Sequence, residues 1–401
     1  MPRPKTLLIL LCAVLLFSCG SIWEQKPTEK GTIGYIDIPS PGFFWLVYPW
    51  KEGKLATIDG KGRFAEISFV GKWHMRIKPL VNFPGERIDR LLRVATESNI
   101  FVTKSGEEFF VADVAAKKTK SLVPWWGWRF KVGVPVFLDS ENGIINFNYY
   151  ASDDYKSEPG SQPYYNVIYD AKNDQVLYES PKEVGENFGL DAPITPEWAM
   201  AEIPNDDGIP GTKTILYNWK THETAENELT KKLIIPGLSS IWDPGQNHNL
   251  EGRYLFADIP PIPGEMFDKK VKVTWDENYE NVTVIPLDYM MPPEAKWWYD
   301  FYLSADGKWA TNLFGGYRGL YGESLARRVF FHLDARYPNG MSMPIFVDGY
   351  HNDPLNYGSF VEHPAHGLCY AEEVYNQYLR LYKMDEVLAE INRQAADMAA
   401  Q

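Results

Sequence analysis

Apolar positions along this chain do not recur at helical spacing until the last 20 residues. Before that point, short runs of β-branched and aromatic residues alternate with clusters of Gly, Pro, Asn and Asp. This is the pattern of strands joined by turns, and it predicts an all-β body. Several runs share one form: an apolar strand ends in Asp or Asn, a polar turn follows, and a second strand begins. FFVADVAAKKTKSLV around Asp113, NVIYDAKNDQVLYE around Asp170, TILYNWKTHETAENEL around Asn218, VKVTWDENYENVTVI around Asp276 and VFFHLDARYPNGMSMPIFV around Asp334 lie 57, 48, 58 and 58 residues apart. The register extends back 54 residues to Asp59 and on 51 residues to Asp385, which makes seven units.

A second register runs through Gly307 in LSADGKWATN, Gly252 in EGRYLFADI 55 residues earlier, and Gly143 in ENGIINFNYY a further 109 residues earlier. A repeat of about 40–55 residues holding several strands marks propeller blades, because one small sheet leaves both faces bare and must stack on neighbours. The spacing therefore predicts a seven-bladed β-propeller, with a pair of β-sandwiches as the competing arrangement. The phrase Ser304-Ala305-Asp306-Gly307-Lys308-Trp309 resembles the blade motif of TolB-type and prolyl-oligopeptidase-type β-propellers, and Glu251-Gly252-Arg253-Tyr254 is its nearest copy. The resemblance implies that Asp-Gly makes the tight turn into the blade and that the aromatic packs between blades.

Two stretches rich in Pro and Gly, DAPITPEWAMAEIPNDDGIPG and FADIPPIPGEMFDKK, read as long loops on one face, where a propeller carries its binding surface. The end of the chain places Met384, Val387, Leu388 and Ile391 at helical spacing, with Asp385 as N-cap, and predicts a short C-terminal helix. A helix there leaves the seventh unit short of a strand. TIGYIDIP, near the N-terminus, is the segment available to complete it, since an open edge invites aggregation.

The N-terminus has its own pattern. Arg3 and Lys5 precede an apolar stretch from Thr6 to Phe17, the layout of a secretory signal and too short for the roughly 20 residues of a membrane span. Leu16-Phe17-Ser18-Cys19 resembles the lipobox of bacterial lipoproteins, which implies that Cys19 is the acylated residue. Cys12, preceded by Leu11, fails the same test. The expected organisation is a signal peptide over 1–18, a lipidated tether over 19–31, the β-propeller over 32–384 and the helix over 385–401. Gly20 after the cysteine resembles outer-membrane sorting, so the expected location is the cell envelope, at the outer membrane facing the periplasm or the cell surface. Two acyl chains or more, at roughly 0.8 kcal/mol per buried CH₂, make a stable anchor.

Charge and chemistry narrow the partners. The net charge is −13, and removing residues 1–18, with two positive charges and no negative ones, leaves −15. Basic clusters such as Lys117–Lys120 and Lys231-Lys232 are small, which excludes nucleic acid as a partner. Gly322-Glu323-Ser324-Leu325-Ala326 lacks the final Gly of a nucleophile elbow, and no phosphate-binding loop occurs. His363, His366 and Cys369 recur at intervals of three in HPAHGLC. Such a set has the donors for Zn²⁺ or Cu, but the stretch also reads as a strand, a Pro-Gly turn and a second strand with Cys369 packed inward. No other cofactor is expected. Trp125, Trp126, Trp128, Trp297 and Trp298, in PWWGW and KWWYDFY, read as loop aromatics and are the candidate ligand contacts. The sequence thus points to a membrane-anchored lipoprotein whose propeller binds a protein or glycan. An enzyme acting on carbohydrate or peptide, its site assembled across blades, is the alternative.

Overall fold

The structure is a computed structural model that describes residues 23–400 apart from 52–53, 84–89, 96, 106–107, 123–129, 133–134, 152–163, 180–188, 194–196, 205–211, 227–247, 250–252, 260–268, 279, 296, 299–300, 319–323 and 349–357. Among the described residues the strands form seven sheets, and the fold is a seven-bladed β-propeller with one C-terminal helix. Two compact units divide the chain: Val81–Pro354, and the two ends Met1–Leu80 and Leu355–Gln401.

In the larger unit, consecutive strands lie side by side and antiparallel. Arg90–Ala95, Ile100–Ser105, Glu108–Asp113 and Lys118–Leu122 make one sheet; Val136–Asp139, Ile144–Ala151, Tyr164–Asp170 and Gln175–Glu179 belong to the next. Side chains alternate across a strand, so each sheet must bury two faces. Ile145, Phe147 and Val167 pack against Phe109 and Val111 of the preceding sheet. Their immediate neighbours Ile144 and Ile168 pack against Leu190, Ala199 and Ile215 of the following one. Burial on both faces is why these strands read as nearly continuous apolar runs. Further on, Phe256 stacks on Phe301 with ring centroids 4.1 Å apart, inside a core that also holds Phe314 and Phe331.

The turns explain the repeated Asp and Asn. In five sheets the backbone N–H just past the third strand donates to the carbonyl just before the second: Val114 to Asn99, Ala171 to Gly143, Trp219 to Glu197, Trp275 to Arg253 and Leu333 to Lys308, at 2.7 to 3.2 Å. Asp113, Asp170 and Asn218 each stand immediately before that donor, and their side chains accept turn amides. Asp113 Oδ1 accepts from Ala116 N at 2.8 Å, Asp170 Oδ1 from Asn173 N at 2.9 Å, and Asn218 Oδ1 from Lys220 N at 3.0 Å. Asp276 and Asp334 do the same work, for Asn278 N and Arg336 N, but stand just after the donor. The expected equivalence therefore holds for the turn, with a slip of two residues between the two groups. A carboxylate at the strand end takes up N–H groups that the tight turn leaves unpaired.

Other expectations need correction. Asp59 accepts from Lys61 N and Arg63 N, both at 3.0 Å, but it lies between the second and third strands of its sheet, Leu55–Asp59 and Arg63–Val70. The same turn chemistry serves either hairpin, so the spacing alone could not tell them apart. Trp198–Pro204, inside the first stretch read as a loop, is a strand paired with Thr212–Asn218; flanking Pro and Gly disguised it. Tyr254–Ile259 and Lys269–Thr274 similarly take in both ends of the second stretch. Gly143 and Gly307 have the positive φ of turn residues, 72° and 65°. Gly252 lies outside the described residues. In the Ser304–Trp309 motif, Asp306 Oδ1 accepts from Ser304 Oγ at 2.6 Å and Lys308 N at 3.1 Å, which builds the tight turn, and Trp309 is buried.

The smaller unit holds the first and last sheets. The last is built from Gly358–His363, Gly367–Val374 and Tyr378–Lys383, and its next strand is Tyr35–Pro39, from the other end of the chain. The N-terminal segment thus completes the seventh unit, with Ile36 opposite Leu381, Asp37 opposite Arg380 and Ile38 opposite Leu379. Arg380 donates to both carboxylate oxygens of Asp37, at 2.7 and 2.8 Å, and its guanidinium lies 3.7 Å from the Tyr35 ring centroid. Fully buried Glu372, opposite Arg380 on the other side, accepts from Tyr382 Oη. Trp23–Gln25 adds an outer strand on Tyr35–Pro39, so this part of the expected tether belongs to the folded body.

The helix runs Met384–Ala399 and buries Met384, Val387 and Ile391. Lys383, not Asp385, occupies the N-cap position; Asp385 and Glu386 sit in the first turn, where the helix dipole favours them. Two stability outcomes are expected. Arg380→Met leaves the buried Asp37 carboxylate without its ion-pair partner and should lower the unfolding free energy by about 3–5 kcal/mol. Asp170→Ala removes one turn acceptor and should lower it by about 1 kcal/mol. Both are read from urea denaturation.

Candidate functional site

The hairpin of Gly358–His363 and Gly367–Val374 carries the candidate metal ligands, and its strand register decides where they go. Val361 is opposite Cys369 and His363 is opposite Gly367. Residues two apart share a face, so His363, Val361 and Cys369 all face the first sheet. Cys369 joins the apolar core there, among Val361, Leu381 and Ile67. Burial, helped by nearby Asp385, pushes its thiol up to about 12, so it remains protonated.

His363 is only 2 % exposed. Its Nδ1 accepts the Ala365 N–H at 3.1 Å, which places its proton on Nε2, and Nε2 is buried with no partner. The His366 ring lies on it, centroids 4.6 Å apart and planes 33° apart. Phe69 covers His363 at 4.4 Å, Trp73 covers His366 at 5.5 Å, and Lys72 Nζ sits 4.4 Å over the Trp73 ring. Burial, then the neighbouring His366, pull the His363 pKa down to about 4; burial, then Lys383 and Lys72, also lower His366. Both rings are therefore neutral at pH 7.

This arrangement packs rings instead of presenting lone pairs. A shared metal ion lies in the plane of each imidazole, whereas these two rings pack on each other at a 33° tilt and the Nδ1 lone pair of His363 is taken by the Ala365 N–H. Among the described residues no group of three or more His, Cys, Asp and Glu side chains is placed to hold a metal ion. Phe69 and Trp73 were not marked by the sequence. The only local signal was the turn Gly71-Lys72-Trp73, with φ 67° at Gly71, because the contact joins strands some 290 positions apart.

On the same unit, a cavity of about 420 Å³ lies between the N-terminal segment and the helix, lined by Glu24, Lys26, Tyr35, Lys383, Glu390 and Arg393 among others. Its charges pair with one another: Lys383 with Glu24 at 3.8 Å, and Arg393 with Glu390 at 2.8 Å. Arg393 also reaches Asp397 at 2.6 Å.

Of the other candidates, Trp297 and Trp298 form a short strand, opposite Gly315 and Phe314, and not a loop. Two adjacent tryptophans have high strand propensity, which outweighs the charged residues around them. Cys19, Cys12, Trp125, Trp126 and Trp128 lie outside the described residues.

No protein-family model matches the chain, and no curated protein matches it significantly. Solved structures do. An oligogalacturonate lyase from Vibrio parahaemolyticus superposes with a TM-score of 0.50 at 10 % identity, over 90 % of this chain and 96 % of that one. The Cps50 (Swd1) β-propeller domain of Myceliophteria thermophila superposes with a TM-score of 0.49 at 10 % identity, over 86 % and 98 %. At 10 % identity, the likeness to the lyase shows the fold alone.

A pH dependence follows from His363. Its folded pKa lies below the ordinary value, so its contribution to stability is complete above about pH 6.5 and is lost as pH falls towards 4. The melting temperature should therefore fall between pH 6.5 and 4 more steeply in the wild type than in His363→Leu. Identical slopes would show that the imidazole is not held neutral by its surroundings.

Proposed function

We propose that this protein is a lipid-anchored β-propeller of the cell envelope, attached through Cys19, which binds a protein or glycan without transforming it. The lipobox order Leu16-Phe17-Ser18-Cys19, behind a charged head and an apolar stretch, supports the anchor. One observation favours binding over catalysis: the turn carboxylates, the Asp37–Arg380 pair and His363 are engaged in structure. Asp59, Asp113, Asp170, Asp276 and Asp334 hold turns, Asp37 and Arg380 hold a strand, and His363 is buried, neutral and hydrogen-bonded through its lone pair. A general acid or base needs a proton position open to substrate. The fold shared with a lyase carries no chemistry across, since function resides in the site and not in the fold.

The tryptophans Trp125, Trp126, Trp128, Trp297 and Trp298 are the ligand contacts of this reading. The acidic body favours a neutral or basic partner. The first test is processing: with a fatty-acid analogue supplied to cells, Cys12→Ala should retain label, and Cys19→Ala should lose it and accumulate precursor. Label retained in Cys19→Ala rejects the anchor. The second is binding to immobilised envelope glycans and basic peptides, where Trp298→Ala should lose roughly thirtyfold in affinity, about 2 kcal/mol. Turnover of a glycan or peptide, abolished by a single carboxylate substitution, would replace the binding reading with an enzymatic one.

A further inference from the structure

Two large aromatic side chains of the smaller unit are exposed, one in a turn of the last sheet and one on the link that follows Tyr35–Pro39. Tyr375 is 74 % exposed and Phe43 is 58 % exposed. Tyr375 lies in the turn beside which Tyr35–Pro39 finishes, and Phe43 lies on the link from that strand to the first sheet, where its carbonyl accepts the Gly60 N–H at 2.7 Å. Pro39 is opposite Tyr378, Ser40 N donates to Gln377 O at 2.7 Å, and Phe43 follows three residues on.

The backbone at Tyr375 is strained. Tyr375 and Asn376 both have positive φ, 54° and 56°, and Gln377 N donates to Val374 O at 3.2 Å. These are the features of a type I′ turn, whose central positions favour Asn, Asp and Gly. A bulky side chain with positive φ costs stability, and such strain tends to persist where a function needs it. Asn at 375 would make the better turn but would present no apolar surface.

The path of the N-terminal chain supplies a second observation. Trp23 is opposite Asp37 and Gln25 opposite Tyr35, so the strand Trp23–Gln25 begins on the side of that same end. Cys19 lies four residues before Trp23, a reach of about 14 Å at roughly 3.4 Å per extended residue. The same number of steps leads from Asp37 to the turn: two to Pro39, and two more from its partner Tyr378 to Asn376.

We infer that this end of the last sheet rests on the bilayer, with Phe43 and Tyr375 seated between headgroups and acyl chains beside the lipid on Cys19. The inference depends on the lipid-anchor reading above. Aromatic side chains, above all those with a polar tip such as Tyr, suit that layer. The occupant is a lipid surface of no net charge, because an acidic body is not drawn to an anionic one. The chain is thus seated on the membrane, with Gly20-Ser21-Ile22 as its whole link, and the Ala365 turn at the opposite end of the hairpin points away.

The test uses full-length acylated protein in phosphatidylcholine vesicles with brominated acyl chains. Environment-sensitive fluorophores are attached at Tyr375→Cys, Phe43→Cys or, as control, exposed Ala365→Cys; Cys369 is buried and stays unlabelled. Bromine should quench the labels at 375 and 43 at least twofold and leave the label at 365 unchanged. Equal quenching at all three positions, or none at 375 and 43, in protein that carries fatty acid overturns the membrane contact and leaves the anchor standing. Absence of fatty acid on Cys19 overturns both. Since the labelled variants lose the aromatics, amide exchange on the wild type is the companion measurement: residues 41–44 and 374–377 should exchange more slowly on vesicles than in unacylated Cys19→Ala, and equal rates overturn the contact.

Discussion

The ion pair between Asp37 and Arg380 joins residues 343 positions apart and sets the register in which the two ends of the chain meet. A one-residue slip of Tyr35–Pro39 would turn Ile36 and Ile38 out of the core and bring Asp37 into it unpaired. A buried pair adds little net stability, because desolvation offsets most of the attraction, but removing one partner is costly. Its value here lies in specificity. Glu372 and Tyr382 extend the network to the next strand, and Tyr35 covers the guanidinium, so each alternative pairing leaves a buried charge unmatched. The last sheet, the outer strand Trp23–Gln25 and the cavity beside the helix all take their positions from this registration.

A second, humbler constraint repeats through the larger unit. Tight turns at the strand ends expose amides, and an Asp or Asn side chain accepts them in each of five sheets. Each sheet then presents two apolar faces, and each face needs a neighbour. The repeat is therefore a consequence of hydrogen-bond satisfaction at turns and of burial on faces. That explains why individual strands vary freely in sequence while the turn residue recurs.

Much of the fold was legible because these constraints are local. Asp113, Asp170 and Asn218 marked equivalent turns, the apolar spacing of Met384, Val387 and Ile391 marked the helix, and a missing strand pointed to TIGYIDIP. Cys369 packs inward, as the strand-turn-strand reading of its segment required. The failures share a cause as well. Asp59 matched the turn chemistry but not the hairpin, because every tight turn asks for the same acceptor. Trp198–Pro204 was hidden by flanking Pro and Gly, and Trp297-Trp298 looked like a loop because a two-residue strand shows no alternation. The packing of Phe69 and Trp73 on His363 and His366 and the strained Tyr375 are products of long-range contact and backbone geometry, of which the sequence carries little more than the turn Gly71-Lys72-Trp73.

The registration of the N-terminal strand is tested most directly by native-state hydrogen exchange on the intact protein. If Tyr35–Pro39 is an integral part of the last sheet, its amides open only with the sheet itself, at the same free energy as those of Gly367–Val374 and Tyr378–Lys383. Exchange from Tyr35–Pro39 at several kcal/mol lower free energy, with the other two strands still protected, would contradict the account and make the N-terminal strand an accessory to a sheet that stands without it.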